Sequence, residues 1–395
     1  MELSRRMRDV TPSGTRRIFE LSQGMKGLIN LGIGEPDFEV PQFVREALKS
    51  AVDSGTNRYT SNRGVPELRA QIARKLRTEN GIDADPDKEI IVTAGATQAV
   101  NVLMNSLLNK GDEVVIPTPA FSAYQASVRL AGGKPVEVPM SEADGYRLNS
   151  RRLERAFNRR TKLLVLNSPA NPTGTVYSPE DLTEACAAAA SRGLYVLSDE
   201  IYEKFLYDGA VHFSPASVSE FKDRIVTVSG MSKTFAMTGW RLGYAVANEE
   251  LVDAMTRYNM YNAVCASSIV QAAGVAALKG SQGFFRPILR EFDKRRRFIC
   301  QSLKEIGMNL VAPQGAFYVF PGVGRGTPDS NAFSRDFLSR YKVATIPGAS
   351  FGNGGEGHIR ISYALDEDKL AEAMLRLSKF KREFGMQDGR PKSEG

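Results

Sequence analysis

The chain has 395 residues, a formal net charge of +7, three cysteines and two histidines, and this length favours two domains with a substantial core. The three cysteines are widely spaced and are expected to pack in the core rather than form disulfides: Cys186, Cys265 and Cys300. The two histidines, His212 and His358, lie far apart in the sequence and are too few for a metal site or a catalytic triad, so no metal is expected. No apolar run of about eighteen residues and no secretory signal is present, which predicts a cytoplasmic protein without a membrane partner.

Basic residues are distributed among acidic ones rather than gathered into a stripe, so nucleic acid is not an expected partner. The main exception is Lys294–Arg297, within a helical pattern from Phe284 to Ile306. We interpret this cluster as the solvated face of a helix. Binding of small anionic substrates is sufficient to explain why the net charge is positive.

Short β-rich runs alternate with helical patterns from about residue 89. The predicted strands are Glu89–Thr93, Glu113–Pro117, Lys162–Asn167, Leu194–Ser198, Arg224–Val228 and Leu242–Val246. The clearest helix is Pro179–Arg192, where Ser178 and Asp181 have the spacing of a capping box. This order predicts an α/β fold with a mostly parallel sheet and helices on both faces.

The pattern changes after Gly283. A long helix precedes strand patterns at Gly315–Phe320, Val343–Pro347 and His358–Tyr363, and a final helix begins near Glu367. These elements predict a smaller α+β domain. We place the large domain at residues 46–284, the small domain with the N-terminal segment at residues 1–45 and 285–385, and a flexible polar tail at residues 386–395.

Polar residues follow several predicted strands, at the sheet edge where α/β proteins bind ligands. Asp199 ends one strand, and Asn167–Asn171 and Ala94–Thr97 follow two others. Lys233 could form a Schiff base with an aldehyde, and Arg241 in the same segment could bind a phosphate. Because Asp199 could keep a pyridine nitrogen protonated, the three residues together suggest pyridoxal phosphate.

Several separated motifs occur in one order along the chain: Gly32–Phe38, Tyr59, Gly95–Thr97, Asn171–Gly174, Asp199–Tyr202, Ser229–Gly243 and Arg360. In these motifs the chain resembles the fold type I pyridoxal-phosphate aminotransferases of the aspartate aminotransferase superfamily, from about residue 10 to residue 380. The similarity is to the prokaryotic branch with aromatic, aspartate and broad-specificity enzymes. It implies a seven-stranded, mostly parallel sheet in the large, cofactor-binding domain.

The resemblance assigns the catalytic roles. Lys233 matches the lysine that carries the cofactor and later moves the substrate's α-proton. Asp199 matches the partner of the pyridine nitrogen. Tyr202 and Asn171 match the donors to the ring's 3-oxygen, and the resemblance further implies a cis bond between Asn171 and Pro172.

Other matched positions concern the phosphate and the substrate. Gly95, Ala96 and Thr97 open a helix whose amides would face the phosphate. The resemblance also places Ser232 and Arg241 at the phosphate, and it implies a homodimer with shared active sites in which Tyr59 reaches the phosphate from the partner subunit. It implies that Phe121 stacks on the pyridine. Arg360, with Gly34 and Asn171, is expected to bind the substrate carboxylate.

The expected reaction is transfer of an amino group from an L-amino acid to 2-oxoglutarate in two ping-pong half-reactions. Aspartate-specialised relatives hold the distal carboxylate with a lysine at the place of Thr97 and a serine near Gly14, and this chain has neither. This favours an aromatic or broad substrate range and leaves aspartate open. Arg16 or Arg17 is an alternative distal-carboxylate ligand, although a surface position is expected for both.

Two other functions stay open at this point. The first is a pyridoxal-phosphate C-S lyase or β-eliminase of the same fold, because residues around the cofactor hardly separate the two reactions. The second, less favoured, is a non-enzymatic regulator, which would carry a DNA-binding module before the motif at Gly32. The glycine-rich Gly352–Gly357 matches a dinucleotide fingerprint but precedes a strand pattern, so we interpret it as a loop.

Overall fold

The computed structural model describes residues 4–8, 10, 14–324 and 329–383. The tail predicted at residues 386–395 lies outside this range. The strands, numbered in chain order, are β1 Ile29–Asn30, β2 Ile90–Thr93, β3 Glu113–Thr118, β4 Lys134–Pro139, β5 Thr161–Asn167, β6 Tyr195–Asp199, β7 Ile225–Gly230, β8 Gly243–Val246, β9 Tyr318–Val319, β10 Val343–Ala344, β11 Ile346–Pro347 and β12 Ile359–Ser362.

The helices are numbered in the same way. They are α1 Arg5–Arg8, α2 Gly14–Ser22, α3 Gln42–Asp53, α4 Pro66–Lys75, α5 Ala96–Leu107, α6 Ala123–Leu130, α7 Ser150–Ala156, α8 Pro179–Ala190, α9 Glu249–Asn262, α10 Ser268–Lys279, α11 Phe285–Glu305, α12 Ser330–Tyr341 and α13 Glu367–Glu383. Within the described part of the chain, none of them has the length and apolar character needed to cross a bilayer.

A seven-stranded sheet forms the centre of the larger part, in the order β2-β8-β7-β6-β5-β3-β4. Only β8 runs antiparallel to its neighbours, so the predicted mostly parallel α/β sheet is confirmed. Every residue of β2, β3, β7 and β8 is buried. Continuous apolar runs suit such strands because helices cover both faces of the sheet.

Strand β4 and helix α12 are among the elements that the sequence-based prediction did not include. Pro135 and Pro139 in β4 remove backbone donors, which makes a strand pattern hard to recognise. The structure accommodates both prolines because β4 is the edge strand next to β3. Helix α12 is capped by Asp329, whose side chain accepts a hydrogen bond from the Ala332 amide.

The chain's two ends meet in the smaller part. Strand β1 pairs in parallel with β10, and the antiparallel strands β11, β12 and β9 form a second small sheet. A separate apolar cluster, which includes Phe292, Phe317 and Phe380, fills this region. The predicted smaller α+β unit is therefore present, and the boundaries at residues 45 and 284 remain a prediction.

The prediction that Lys294–Arg297 forms the solvated face of a helix was wrong for its two central residues. Arg295 and Arg296 are buried, and they donate hydrogen bonds to Asp37 and Asp208, respectively. Successive residues on a helix point about 100° apart, so four consecutive basic side chains cannot share one face. Lys294 and Arg297 are exposed as expected, while the central pair forms ion pairs against the protein.

Two local predictions can be compared directly with the structure. Ser178 accepts a hydrogen bond from the Asp181 amide at the start of α8, as a capping box requires. The Asp181 carboxylate accepts instead from Arg147, at 3.1 Å. The glycine-rich segment Gly352–Gly357 is a loop that leads into β12, so its interpretation as a loop is confirmed.

Candidate active site

A cavity of about 590 Å³ opens where β5 and β6 end, at the carboxyl edge of the large sheet. Strand pairing places Asn167 beside Asp199 there. Most of the predicted site residues line this cavity: Gly34, Ala96, Thr97, Phe121, Asn171, Asp199, Tyr202, Ser232, Lys233, Arg241 and Arg360. Parallel strands align their carboxyl ends, so the sequence-based expectation of one shared edge is confirmed.

Lys233 follows β7 and projects into the cavity. Its Nζ donates a hydrogen bond to the carbonyl oxygen of Gly34 at 2.6 Å and lies 5.7 Å from the centre of the Tyr202 ring. Burial, reinforced by two nearby arginines, lowers the pKa of Lys233 from 10.5 to about 8. A much larger fraction of this amine is therefore neutral near pH 7 than for an ordinary lysine.

Asp199 is the last residue of β6 and is buried. Its Oδ2 accepts a hydrogen bond from the Tyr124 hydroxyl at 2.7 Å, and its Oδ1 accepts from the Ile201 amide at 3.1 Å. Burial raises the pKa of Asp199 to about 6, although both hydrogen bonds act in the opposite direction. The carboxylate is thus fixed in place and poorly solvated, a state that favours a cationic partner.

Tyr202, Tyr318 and Asn171 form a polar group beside Asp199. The hydroxyls of Tyr202 and Tyr318 lie 2.8 Å apart, and the Asn171 amide nitrogen is 3.5 Å from the Tyr202 oxygen. Burial raises the pKa of both tyrosines, so both are neutral donors at physiological pH. The bond between Asn171 and Pro172 is cis, as predicted, and Thr118-Pro119 and Ser168-Pro169 are also cis.

Arg360 on β12 is 3% exposed and closes the other side of the cavity. It donates to the Gly32 carbonyl at 2.6 Å and to Asn171 Oδ1 at 3.1 Å, and its guanidinium lies 4.5 Å from the centre of the Tyr318 ring. Its buried Nε has no hydrogen-bond partner among the described residues, and its two Nη atoms donate to neutral acceptors. A buried cation in this state is suited to bind a carboxylate ligand.

Another part of the cavity wall has the features of an anion site. Helix α5 begins directly after Gly95, and the first amides of an α-helix lack partners within the helix. Gly95 has a φ of +85°, and a Cβ there would lie 2.6 Å from Arg241 Nη2. The positive φ favours glycine, and the lack of a side chain leaves room for the close approach of Arg241. Ser232 is buried beside Lys233 on the cavity wall.

The remaining predicted residues differ in position. Phe121 is partly buried in the cavity wall and meets Tyr124 edge-on, with ring centres 5.8 Å apart. Gly34 passes so close to the Tyr318 hydroxyl that a side chain would collide with it. Tyr59 is 86% exposed and lies outside the cavity of its own chain.

Sequence reasoning missed two residues of this site, Tyr124 and Tyr318. Tyr124 falls three positions after Phe121, which itself lies just before α6. Tyr318 lies two positions from Ala316 and Phe320 in a strand-like run, where a core role is the ordinary expectation. Their hydroxyl partners come from distant segments, so the sequence carried no signal for either contact.

A second polar cluster lies behind the site. Glu200, Glu203 and His212 present potential metal ligand atoms within 4.8 Å of one another. The carboxylate oxygens already accept hydrogen bonds from Lys75, Asn80 and Ser214. Lys75 and His212 outweigh the effect of burial and lower the pKa of Glu203 to about 2. These contacts form an ion-pair network that holds the turn after β6.

Comparison with known proteins agrees with this geometry. Residues 26–377 match the family described as aminotransferase class I and II. The chain is 46% identical to an aspartate aminotransferase of Pyrococcus abyssi, covering 97% of this chain and 99% of the relative. It is 43% identical to an aromatic-amino-acid aminotransferase of Thermococcus litoralis, with the same coverage of both chains.

Solved structures give the same result. The crystal structure of an aromatic aminotransferase from Pyrococcus horikoshii superimposes with a TM-score of 0.89 at 44% identity, covering 94% of this chain and all of the other. Similarity at this level over nearly the whole chain shows both fold and family. The chain therefore belongs to the class I and II aminotransferases and is an aminotransferase of fold type I.

Proposed function

We propose that this aminotransferase binds pyridoxal 5'-phosphate in the described cavity through Lys233 and moves amino groups from aromatic and other L-amino acids to 2-oxoglutarate. The family implies this cofactor. The observation that carries the proposal is the position of the Lys233 amine, with its lowered pKa, in a cavity also lined by Asp199 and Arg360. Lys233 and Asp199 would supply a nucleophile and an anion to the cofactor, and Arg360 would supply a cation to the substrate.

The residues present fit the cofactor at each of its polar groups. The first turn of α5, Arg241 and Ser232 would hold the phosphate, because the end of a helix and a guanidinium both favour anions. Asp199 would accept from the ring nitrogen, and Tyr202 and Asn171 would donate to the ring's hydroxyl oxygen. Phe121 would cover the ring's face. When bound, pyridoxal phosphate supplies an electron sink for the charge left at the substrate's α-carbon.

Lys233 has two tasks in this proposal. Its neutral amine would hold the cofactor covalently, and once released it would take the substrate's α-proton and return it to a different atom. A pKa near 8 suits both tasks, since an effective general base has a pKa close to the working pH. Gly34 orients the amine by accepting its hydrogen bond.

Arg360 would bind the substrate's α-carboxylate. Asn171 and Gly32 hold one side of the guanidinium through its two Nη atoms, and the Tyr318 ring supports its face. The buried Nε is left for an incoming acceptor. Because the guanidinium is already fixed, little rotational freedom is lost when a carboxylate binds.

The substrate side-chain region favours aromatic substrates. Ile18, Ile33 and Ile346 give the cavity an apolar wall near Gly32 and Gly34. Burial of an aromatic ring against such a wall is stabilising in proportion to the apolar area removed from water. Arg16 is a cationic residue of the cavity wall, and its Nε donates to Glu20 at 2.7 Å. An acidic substrate would have to compete with Glu20 for Arg16.

We also propose a homodimer with shared active sites. Tyr59 and Tyr261 are 86% and 87% exposed, on two segments joined by the hydrogen bond from Asn62 to the Val264 carbonyl. Large exposed rings of this kind are common at protein interfaces. Tyr59 would enter the partner's cavity at its phosphate end. Sedimentation of the purified enzyme measures the mass of the assembly.

A panel of amino donors and 2-oxo acid acceptors, read by cofactor absorbance, tests the proposed reaction. Single-turnover conversion of the cofactor by tyrosine, restored by 2-oxoglutarate, is the expected result and demonstrates two half-reactions. Release of pyruvate and ammonia from cystathionine without an acceptor would assign the enzyme to C-S lyases instead. Equal rates with alanine and tyrosine would contradict the aromatic preference.

A further inference from the structure

Tyr124 is a buried tyrosine with a single polar contact from its side chain. It lies in the first turn of α6 and is 1% exposed, among apolar residues that include Val165 and Leu197. Its hydroxyl donates to Asp199 Oδ2 at 2.7 Å. A buried hydroxyl costs free energy unless it is hydrogen-bonded, so this contact holds Tyr124 as well as Asp199.

The contact determines which way the Asp199 carboxylate faces. The Ile201 amide occupies Oδ1 at 3.1 Å, and Tyr124 occupies Oδ2. With one donor on each oxygen, rotation of the carboxylate about its terminal bond would break both hydrogen bonds. A carboxylate has about four acceptor positions, so acceptor capacity remains for a ligand in the cavity.

Tyr124 also contacts the aromatic side chain of the cavity wall. Its ring meets that of Phe121 at 89°, with ring centres 5.8 Å apart, and its amide donates to the Phe121 carbonyl at 3.1 Å. Edge-to-face contact of this kind stabilises the orientation of both rings. One side chain therefore touches both the carboxylate and the ring that would contact the cofactor's pyridine.

We propose that Tyr124 is a positioning residue for the cofactor: its hydroxyl orients Asp199 toward the pyridine nitrogen, and its ring fixes Phe121 against the pyridine face. This inference rests on the proposed binding of pyridoxal phosphate in this cavity. Tyr124 acts through Asp199, so its hydroxyl matters only when the bound ring carries a nitrogen for Asp199 to meet.

The hydrogen bond from Tyr124 also favours the ionised form of Asp199, which the pyridine nitrogen requires. A donor to a carboxylate favours its ionised form, and the Tyr124 hydrogen bond lowers the pKa of Asp199 against the effect of burial. Without that donor the buried carboxyl group would hold its proton more strongly. It would then be a weaker partner for a protonated pyridine nitrogen.

The test compares two cofactors in two proteins. Pyridoxal phosphate and its 1-deaza analogue, in which carbon replaces the ring nitrogen, are titrated into cofactor-free wild type and Tyr124→Phe, and the dissociation constants are measured by calorimetry. Tyr124→Phe keeps the ring contact with Phe121 and removes only the hydroxyl. We expect about tenfold weaker binding of pyridoxal phosphate and less than about twofold change for the analogue.

The matched control is Tyr207→Phe, since that buried hydroxyl donates to the Ala316 carbonyl outside the cavity wall. It should change neither dissociation constant. In the Asp199→Asn background, Tyr124→Phe should have no further effect. The inference is overturned if Tyr124→Phe weakens the binding of both cofactors equally, or of neither. A wild type that binds neither cofactor would overturn the proposed function instead.

A second substitution covers the case in which Tyr124→Phe does not fold. Incorporation of 3-fluorotyrosine at position 124 keeps the hydroxyl and makes it a stronger donor. The dissociation constant for pyridoxal phosphate should then fall while that for the deaza analogue stays the same. An unchanged value, or an equal change for both cofactors, contradicts a role through Asp199.

Discussion

Lys233 Nζ donates its hydrogen bond to the Gly34 carbonyl oxygen, at 2.6 Å, across 199 positions of sequence. This contact joins the N-terminal segment to the segment after β7. It holds the amine on the side of the cavity where Gly32 binds Arg360. The nucleophile and the proposed carboxylate site are thus fixed relative to each other by one short stretch of backbone.

The lowered pKa of Lys233 predicts how cofactor uptake depends on pH. Because burial lowers this pKa to about 8, the neutral amine fraction rises about tenfold per pH unit below pH 8 and levels off above it. The rate of covalent attachment to the cofactor-free enzyme, followed by absorbance from pH 6 to 10, should follow this curve. Reaction of the cofactor with Nα-acetyl-lysine over the same range corrects for its own ionisation. A rate that still rises steeply at pH 10 would contradict the lowered pKa.

Asp199 is predicted to destabilise the cofactor-free protein. Its folded-state pKa of about 6 lies above the ordinary value of 3.8, so the folded state binds the proton more tightly than the unfolded state. Stability is therefore lost as pH rises through this interval, by ~3 kcal/mol once pH exceeds the folded value. Asp199→Asn should raise the free energy of unfolding in urea at pH 8 and have little effect at pH 4.

Asp83→Asn is the control for that measurement, because Asp83 is an exposed aspartate. It should leave the free energy of unfolding unchanged at both pH values. An Asp199→Asn protein that is no more stable than wild type at pH 8 would mean that the carboxylate is better compensated than its burial implies. The same variant should bind pyridoxal phosphate weakly, which separates the stability effect from the functional one.

Arg360→Lys is predicted to weaken substrate binding. A lysine cannot keep the contacts with Gly32 and Asn171 and also present two parallel donors to a carboxylate. The Michaelis constants for amino acids should rise on the order of 10- to 100-fold, while the absorbance of the bound cofactor is retained. Arg335→Lys, at an exposed site, is the control and should behave as wild type. Unchanged Michaelis constants would remove Arg360 from the substrate site.

Arg16 is predicted to discriminate between substrates. Both Arg16 and Arg17 are exposed, but of the two only Arg16 lines the cavity. Arg16→Gln should raise the Michaelis constants for aspartate and 2-oxoglutarate about tenfold and leave that for tyrosine nearly unchanged. Arg17→Gln, the neighbouring control, should alter none of them. Arg16→Gln Michaelis constants equal to those of wild type would mean that Arg16 does not bind the distal carboxylate.

The sequence was sufficient to predict six of the seven central strands and most of the proposed site residues that line the cavity. Buried parallel strands are short apolar runs, so β2, β3, β5, β6, β7 and β8 could be located within a few residues. Asp199 and Lys233 follow such strands, and the alignment of strand ends brought them to one edge. The local sequence pattern and the chain topology therefore predict the same position for the site.

Other features depended on contacts between distant segments and could not be predicted. The partners of Tyr124 and Tyr318 lie far along the chain, at Asp199 and Tyr202. The sequence pattern predicted Arg295 and Arg296 to be exposed, because their contacts with Asp37 and Asp208 form only in the folded protein. Buried polar contacts of this kind depend on tertiary structure, which periodicity and composition do not encode.

The central claim is that Lys233 carries the cofactor. Reduction of the native enzyme with borohydride, followed by proteolysis and mass spectrometry, measures it directly, with Lys233→Arg as the matched variant. We predict a pyridoxyl group on the peptide containing Lys233 in wild type and no labelled lysine in the variant. A native enzyme whose Lys233 stays unlabelled while the protein is active, or a label on another lysine, would contradict the account.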